Sequence, residues 1–128
     1  MKYKFGYWEH EYGLRPFFDK LGNDYFDPII DYFVMLEYHY LTYKLHNNID
    51  AWLFEIDKQL LTNSNEEFFG DNVCVFFKDD KVKLINYWDY ESGKENYCEL
   101  TVLELKKMTV EWKWFVIDWE IKVIKGEI

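Results

Sequence analysis

The 128-residue sequence predicts an α+β fold: an antiparallel sheet of about four to five strands packed against two main helices, at about 48–61 and 102–124. Three observations lead there. Two segments repeat their apolar residues at helical spacing, "VCVFFKDDKVKLINYW" reads as two strands around a tight turn, and the N-terminus alternates like a half-buried strand. The chain is long enough for one hydrophobic core, so a single domain over 1–128 is expected.

In "KYKFGYWEHEY", Tyr3, Phe5 and Tyr7 alternate with Lys2, Lys4 and Gly6, predicting a strand over 2–9. The breakers Gly13, Pro16, Gly22, Asn23 and Asp24 then predict a loop, with room for a helical turn at Phe17–Lys20. Asp27-Pro28 has the form of an N-cap followed by Pro at N1, giving a short helical or extended piece over 28–36. "EYHYLTYKL" alternates and is rich in Tyr and Thr, which favours a strand over 37–45, although Ile30, Phe33, Val34 and Leu41 also allow a longer helix.

Asn47-Asn48 supplies a cap, and Ile49, Trp52, Leu53, Ile56 and Leu60 mark the helix that follows. A polar loop is expected over 62–72, then strands 73–78 and 81–88 around Asp79-Asp80, a loop "DYESGKENY" and a short strand "YCEL". Thr101 and Glu104 have capping-box spacing and should start the last helix. Leu105, Met108, Trp112, Phe115, Val116, Trp119 and Val123 mark one face of it. Val110, Trp114, Ile117 and Ile121 mark a second, more than a solvated helix back needs; the β-branched residues keep a strand open as the alternative.

The net charge is −9, spread over both halves: six basic and ten acidic residues before position 65, nine and fourteen from there on. Such a surface repels phosphate backbones and anionic membranes, so direct nucleic-acid or membrane binding is not expected, whereas a basic protein would be attracted. Without a long apolar window or a signal-peptide pattern in "MKYKFGYWEHEYG", a cytoplasmic location is expected, with Cys74 and Cys98 as buried free thiols.

Chemistry-bearing motifs are few. His10 lies between Glu9 and Glu11, but on a strand it points away from both. His39 and His46 lack zinc-site spacing, so neither a metal nor a cofactor is expected. No nucleophile or phosphate-loop signature occurs, and acid pairs such as Asp27/Asp31 and Asp118/Glu120 arise by chance among 24 acids; an enzyme is not expected. What stands out is "NYWDYESGKENY", where Tyr87, Trp88, Tyr90 and Tyr97 are interleaved with Asp89, Glu91 and Glu95, the mixture of anchors and steering charges that protein interfaces use. Phe68 and Phe69 in "NEEFFGD" add exposed rings if that stretch is a loop.

This order of elements over 37–124, with "AWLFEIDKQLL", "VCVFFKDDKVKLINYW" and "CELTVLELKKM", resembles the small acidic immunity proteins of bacterial polymorphic toxin and contact-dependent growth inhibition systems. The resemblance implies an antitoxin that binds and neutralises a cognate toxin. A toxin that cuts nucleic acid is basic, so an acidic protein suits its cleft. On that reading Tyr87, Trp88 and Tyr90 are the anchors, and Asp79, Asp80, Asp89 and Glu91 steer the partner. The alternative is a non-catalytic regulatory or scaffold module that forms a homodimer or hetero-oligomer through the apolar C-terminal helix.

Overall fold

A computed structural model describes residues 2–11, 13–21, 27–36, 39–42, 48–94 and 96–128, and of His10 the backbone alone. Its elements are β1 (Tyr3–His10), β2 (Gly13–Lys20), α1 (Pro28–Met35), α2 (Asn48–Thr62), β3 (Glu67–Phe69), β4 (Val73–Lys78), β5 (Lys81–Asn86), α3 (Tyr87–Glu91), β6 (Tyr97–Thr101) and α4 (Val102–Ile124). The α+β class is as expected. The strands divide into a β1–β2 ribbon and a four-stranded antiparallel sheet in the order β3-β4-β5-β6.

Two expected loops contain strands. Residues 13–20 form β2, not a helical turn, because Pro16 and Phe18 are buried in alternation and pair with Tyr7 and Phe5. A two-stranded ribbon has only edges, where the missing N–H of proline is tolerated. Gly6 lies opposite Phe17, whose ring would be 2.9 Å from an added Cβ and would have to shift to admit one. Glu67–Phe69 pairs with β4 through three residues, too short a strand to show a period. Residues 39–42 form a turn, and the rest of the strand expected over 37–45 lies outside the described residues, as does Asn47.

α1 begins as expected, with Asp27 accepting the Ile29 N–H at 3.0 Å. It lies between the ribbon and the sheet, where Phe33 stacks on Phe18 with ring centroids 4.4 Å apart. α4 carries the expected capping box: Glu104 N–H donates to the Thr101 hydroxyl and Thr101 N–H to the Glu104 carboxylate, each at 3.0 Å, which holds that carboxyl below its ordinary range. Its Leu105, Met108, Trp112, Val116 and Trp119 are buried as expected, but Val123 is exposed near the helix end. Tyr32 of α1 reaches Thr109 at 2.8 Å; since the Thr109 hydroxyl donates to the Leu105 carbonyl, Tyr32 is the donor.

One hydrophobic cluster includes Phe18, Phe33, Ile56, Val75, Leu84 and Trp112, so ribbon, helices and sheet share a core. Among the described residues no helix is long and apolar enough to cross a membrane.

Candidate protein-interaction surface

The inner face of the sheet, including Val73, Val75, Phe77, Val82, Leu84 and Leu100, is covered. Register sets what lies on the other face: a row Phe69–Cys74–Ile85–Tyr97 and beside it Glu67–Phe76–Lys83–Glu99. α3 sits at one end of this face. Its origin is local: β5 stops at Asn86, two residues before the end expected, because the Asn86 side chain accepts the N–H groups of Trp88 (3.0 Å) and Asp89 (3.3 Å) and starts a helical turn. Asn86 is held in turn by a hydrogen bond to Asp31 (3.0 Å), and Tyr87 N–H by the Asn72 carbonyl (2.9 Å).

The turn is therefore anchored while Trp88 projects, 72% exposed. Tyr90 folds back on the sheet: Phe69, Phe76 and Tyr90 form a triangle of rings with centroids 5.4–5.5 Å apart, above the buried Cys74. Tyr87 donates to Glu91 at 2.7 Å, which pushes the phenol pKa up. Asp89 accepts from Asn96 at 3.1 Å. Tyr97 is exposed, with the Lys83 ammonium 4.4 Å over its ring.

Five of the seven expected partner-binding residues, Tyr87, Trp88, Asp89, Tyr90 and Glu91, thus share one end of the face. Asp79 and Asp80 do not join them. They turn the chain at the far end of the β4–β5 pair, about 20 Å away by strand rise. That turn has a structural job: Gln59 donates to the Asp79 carbonyl, Asn65 accepts the Asp79 N–H, and the Asp80 carbonyl accepts the Val102 N–H. A groove of about 470 Å³ opens there, lined by Glu67, Phe76, Asp79, Asp80, Lys83 and Glu99 among others. The sheet face joins the two ends, so only a broad partner reaches both. Its charge is mixed, with Lys78, Lys81 and Lys83 among the acids.

The acid pairs named from sequence have local duties. Asp27 caps α1 and pairs with Lys20, Asp118 pairs with Lys122 at 3.0 Å, and Glu120 accepts three hydrogen bonds from Leu41 and Thr42. Burial pushes the Asp31 carboxyl up, against its bond to Asn86. Cys74 and Cys98 are free, buried and on opposite faces of the sheet; burial pushes the Cys98 thiol up to about 11. Among the described residues no group of three or more His, Cys, Asp or Glu could hold a metal ion. No protein-family model, curated protein or solved structure matches the chain.

Proposed function

We propose that the chain is an immunity protein: a non-catalytic, cytoplasmic module that neutralises a basic, nuclease-type bacterial toxin by docking its α3 end and open sheet face on it. The exposure of Trp88 on a turn fixed by Asn86 carries this reading. A solvated tryptophan whose backbone is already ordered loses little entropy on binding and has a large surface to bury. The carboxylates of Asp89 and Glu91 beside it and the net charge of −9 favour a cationic partner and speed its approach.

The test is to search the reading frames beside this chain's for a basic nuclease-type toxin domain and to measure binding to it by calorimetry and stopped flow. Trp88→Ala should weaken binding by about 2 kcal/mol or more, roughly thirty-fold. Asp89→Ala and Glu91→Ala should mainly slow association and flatten its salt dependence. Unchanged affinity in Trp88→Ala and Asp89→Ala, with loss only on disrupting the core, would reject this surface.

A further inference from the structure

α3 lies down on the sheet although it buries none of its five residues. Cys74 shows this. Register puts it on the outer face, yet it is fully buried, under the Phe69, Phe76 and Tyr90 rings and near enough to α3 for the Glu91 charge to act on its thiol. Backbone hydrogen bonds at the C-terminal end of the turn stay local: Ser92 N–H donates to the Trp88 carbonyl, Gly93 N–H to that of Tyr90 and Lys94 N–H to that of Asp89. The N-terminal end is fastened to other parts of the chain, by the Asn72 carbonyl on the Tyr87 N–H and by Asp31 of α1 on the Asn86 side chain.

Fastening by Asn86 works in one orientation of its amide. Oδ1 accepts from Trp88 N–H (3.0 Å) and Asp89 N–H (3.3 Å), while Nδ2 donates to Asp31 Oδ2 (3.0 Å). Turned over, the amide would set its own N–H groups against those two N–H groups, and the cap would be lost. Asp31 forbids this, because a carboxylate only accepts. We infer that Asp31 is the positioning residue of the interaction turn: it fixes the Asn86 amide, the amide fixes the first turn of α3, and α3 presents Trp88 and lays Tyr90 on the sheet.

The charge on Asp31 is kept against its surroundings. Burial pushes the carboxyl up and the carboxylates of Asp27 and Asp89 add to the shift, while the bond from Asn86 favours the ionised form. A hydroxyl or an amide at this position would avoid that cost, but each donates as well as accepts and would leave the Asn86 amide free to turn. The first turn of α1 also suits a negative charge, so the test has to separate that role from the tie to Asn86.

Exchanging the two groups separates them. Asn86→Asp alone still offers α3 an acceptor but sets a second carboxylate against Asp31, and the two stay in contact only by sharing a proton. Asp31→Asn combined with Asn86→Asp restores one carboxylate and one amide in reverse order, and takes the charge off α1. The two free cysteines report the result, since Cys74 lies under α3 and Cys98 faces the core on the other side of the sheet. The full chain is labelled with an aromatic disulfide reagent in mildly alkaline buffer, and the labelled site is assigned by mass spectrometry. Cys74 should react about five-fold faster or more in Asn86→Asp and in Asp31→Leu, the size of a lost N-cap, and should return to near the wild-type rate in the double variant. Cys98 should be unchanged throughout. Wild-type protection of Cys74 in both single variants, or a double variant that reacts as fast as Asn86→Asp, would overturn the inference. Should Asp31→Leu expose Cys98 as well, it has loosened the whole fold, and the comparison of Asn86→Asp with the double variant decides. That a partner grips α3 rests on the proposed function, but the thiol rates need no partner. Unchanged rates leave the Trp88→Ala binding test standing, and a toxin indifferent to Trp88→Ala leaves the tie between Asp31 and Asn86 standing.

Discussion

Trp112 and Trp114 stand two residues apart on α4 and have opposite fates. Trp112 is 1% exposed, its ring against Phe5 and Phe33 with centroids at 5.5 Å in each case; Trp114 is 62% exposed. Helical rotation of about 200° between them is the whole cause, since the same side chain is core on one side of the helix and solvent-exposed on the other. Ring count alone therefore says nothing about binding; the position of each ring around its element decides.

The contrast should show most strongly in stability. Trp112→Ala should cost about 3–5 kcal/mol through the cavity left among those rings, while Trp114→Ala stays within about 0.5 kcal/mol. Urea unfolding of both variants checks it. Comparable losses in the two would mean that Trp114 is packed rather than exposed.

At the end of that buried face, one helical turn before α4 stops, Glu120 accepts from Leu41 N–H (2.7 Å), Thr42 N–H (3.0 Å) and the Thr42 hydroxyl (2.8 Å), with His39 Nδ1 4.0 Å away. Burial by itself would raise its carboxyl, but these donors outweigh it and hold the group below its ordinary value of 4.5. A lowered folded-state value means that the stabilisation is complete above about 4.5 and is lost as pH falls through the folded value. Glu120→Ala should cost about 1–3 kcal/mol at neutral pH by leaving the 41–42 N–H groups without their acceptor. Glu120→Gln should cost less, and its deficit should vanish in acid. Asp31, whose carboxyl is raised, works in the opposite sense, so the comparison is made between variants and not from the wild-type profile alone.

The elements legible in the sequence are those whose signal is local. The Thr101–Glu104 box, the α2 and α4 helices and the Asp79-Asp80 turn each depend on residues within a few positions and lie where the pattern placed them, except that Leu60 of α2 is exposed with Gln59 buried beside it, and Val123 of α4 is exposed. β2 was hidden because Pro16 and Gly13 mark breaks unless the partner strand is known. α3 needed the Asn86 side chain, two residues before the end of what read as a continuous strand. For the interaction surface, the 87–91 cluster was legible because it is contiguous, but its separation from Asp79 and Asp80 followed only from strand register. The second face of α4 was half legible: Val110, Trp114, Ile117 and Ile121 were visible as a face, whereas the exposure of Leu103 and Ile124 on the same side followed only from which side of the helix meets the core.

The smallest effect gives the sharpest comparison, between the two buried tryptophans. Trp119 donates its Nε1–H to the Leu14 carbonyl at 2.8 Å, tying α4 to β2, whereas Trp112 Nε1 has no hydrogen-bond partner among the described residues. Phenylalanine removes a similar ring volume from each site, so the cavity costs are alike and largely cancel in the difference. What remains is the polar group. Trp112→Phe removes a donor that is already unpaired; Trp119→Phe breaks a bond and strands the Leu14 carbonyl. Trp119→Phe should therefore be the more destabilising by about 1 kcal/mol in parallel urea titrations. Equal losses would indicate that the Trp112 N–H has an acceptor in solution, such as a buried water, that Phe also removes.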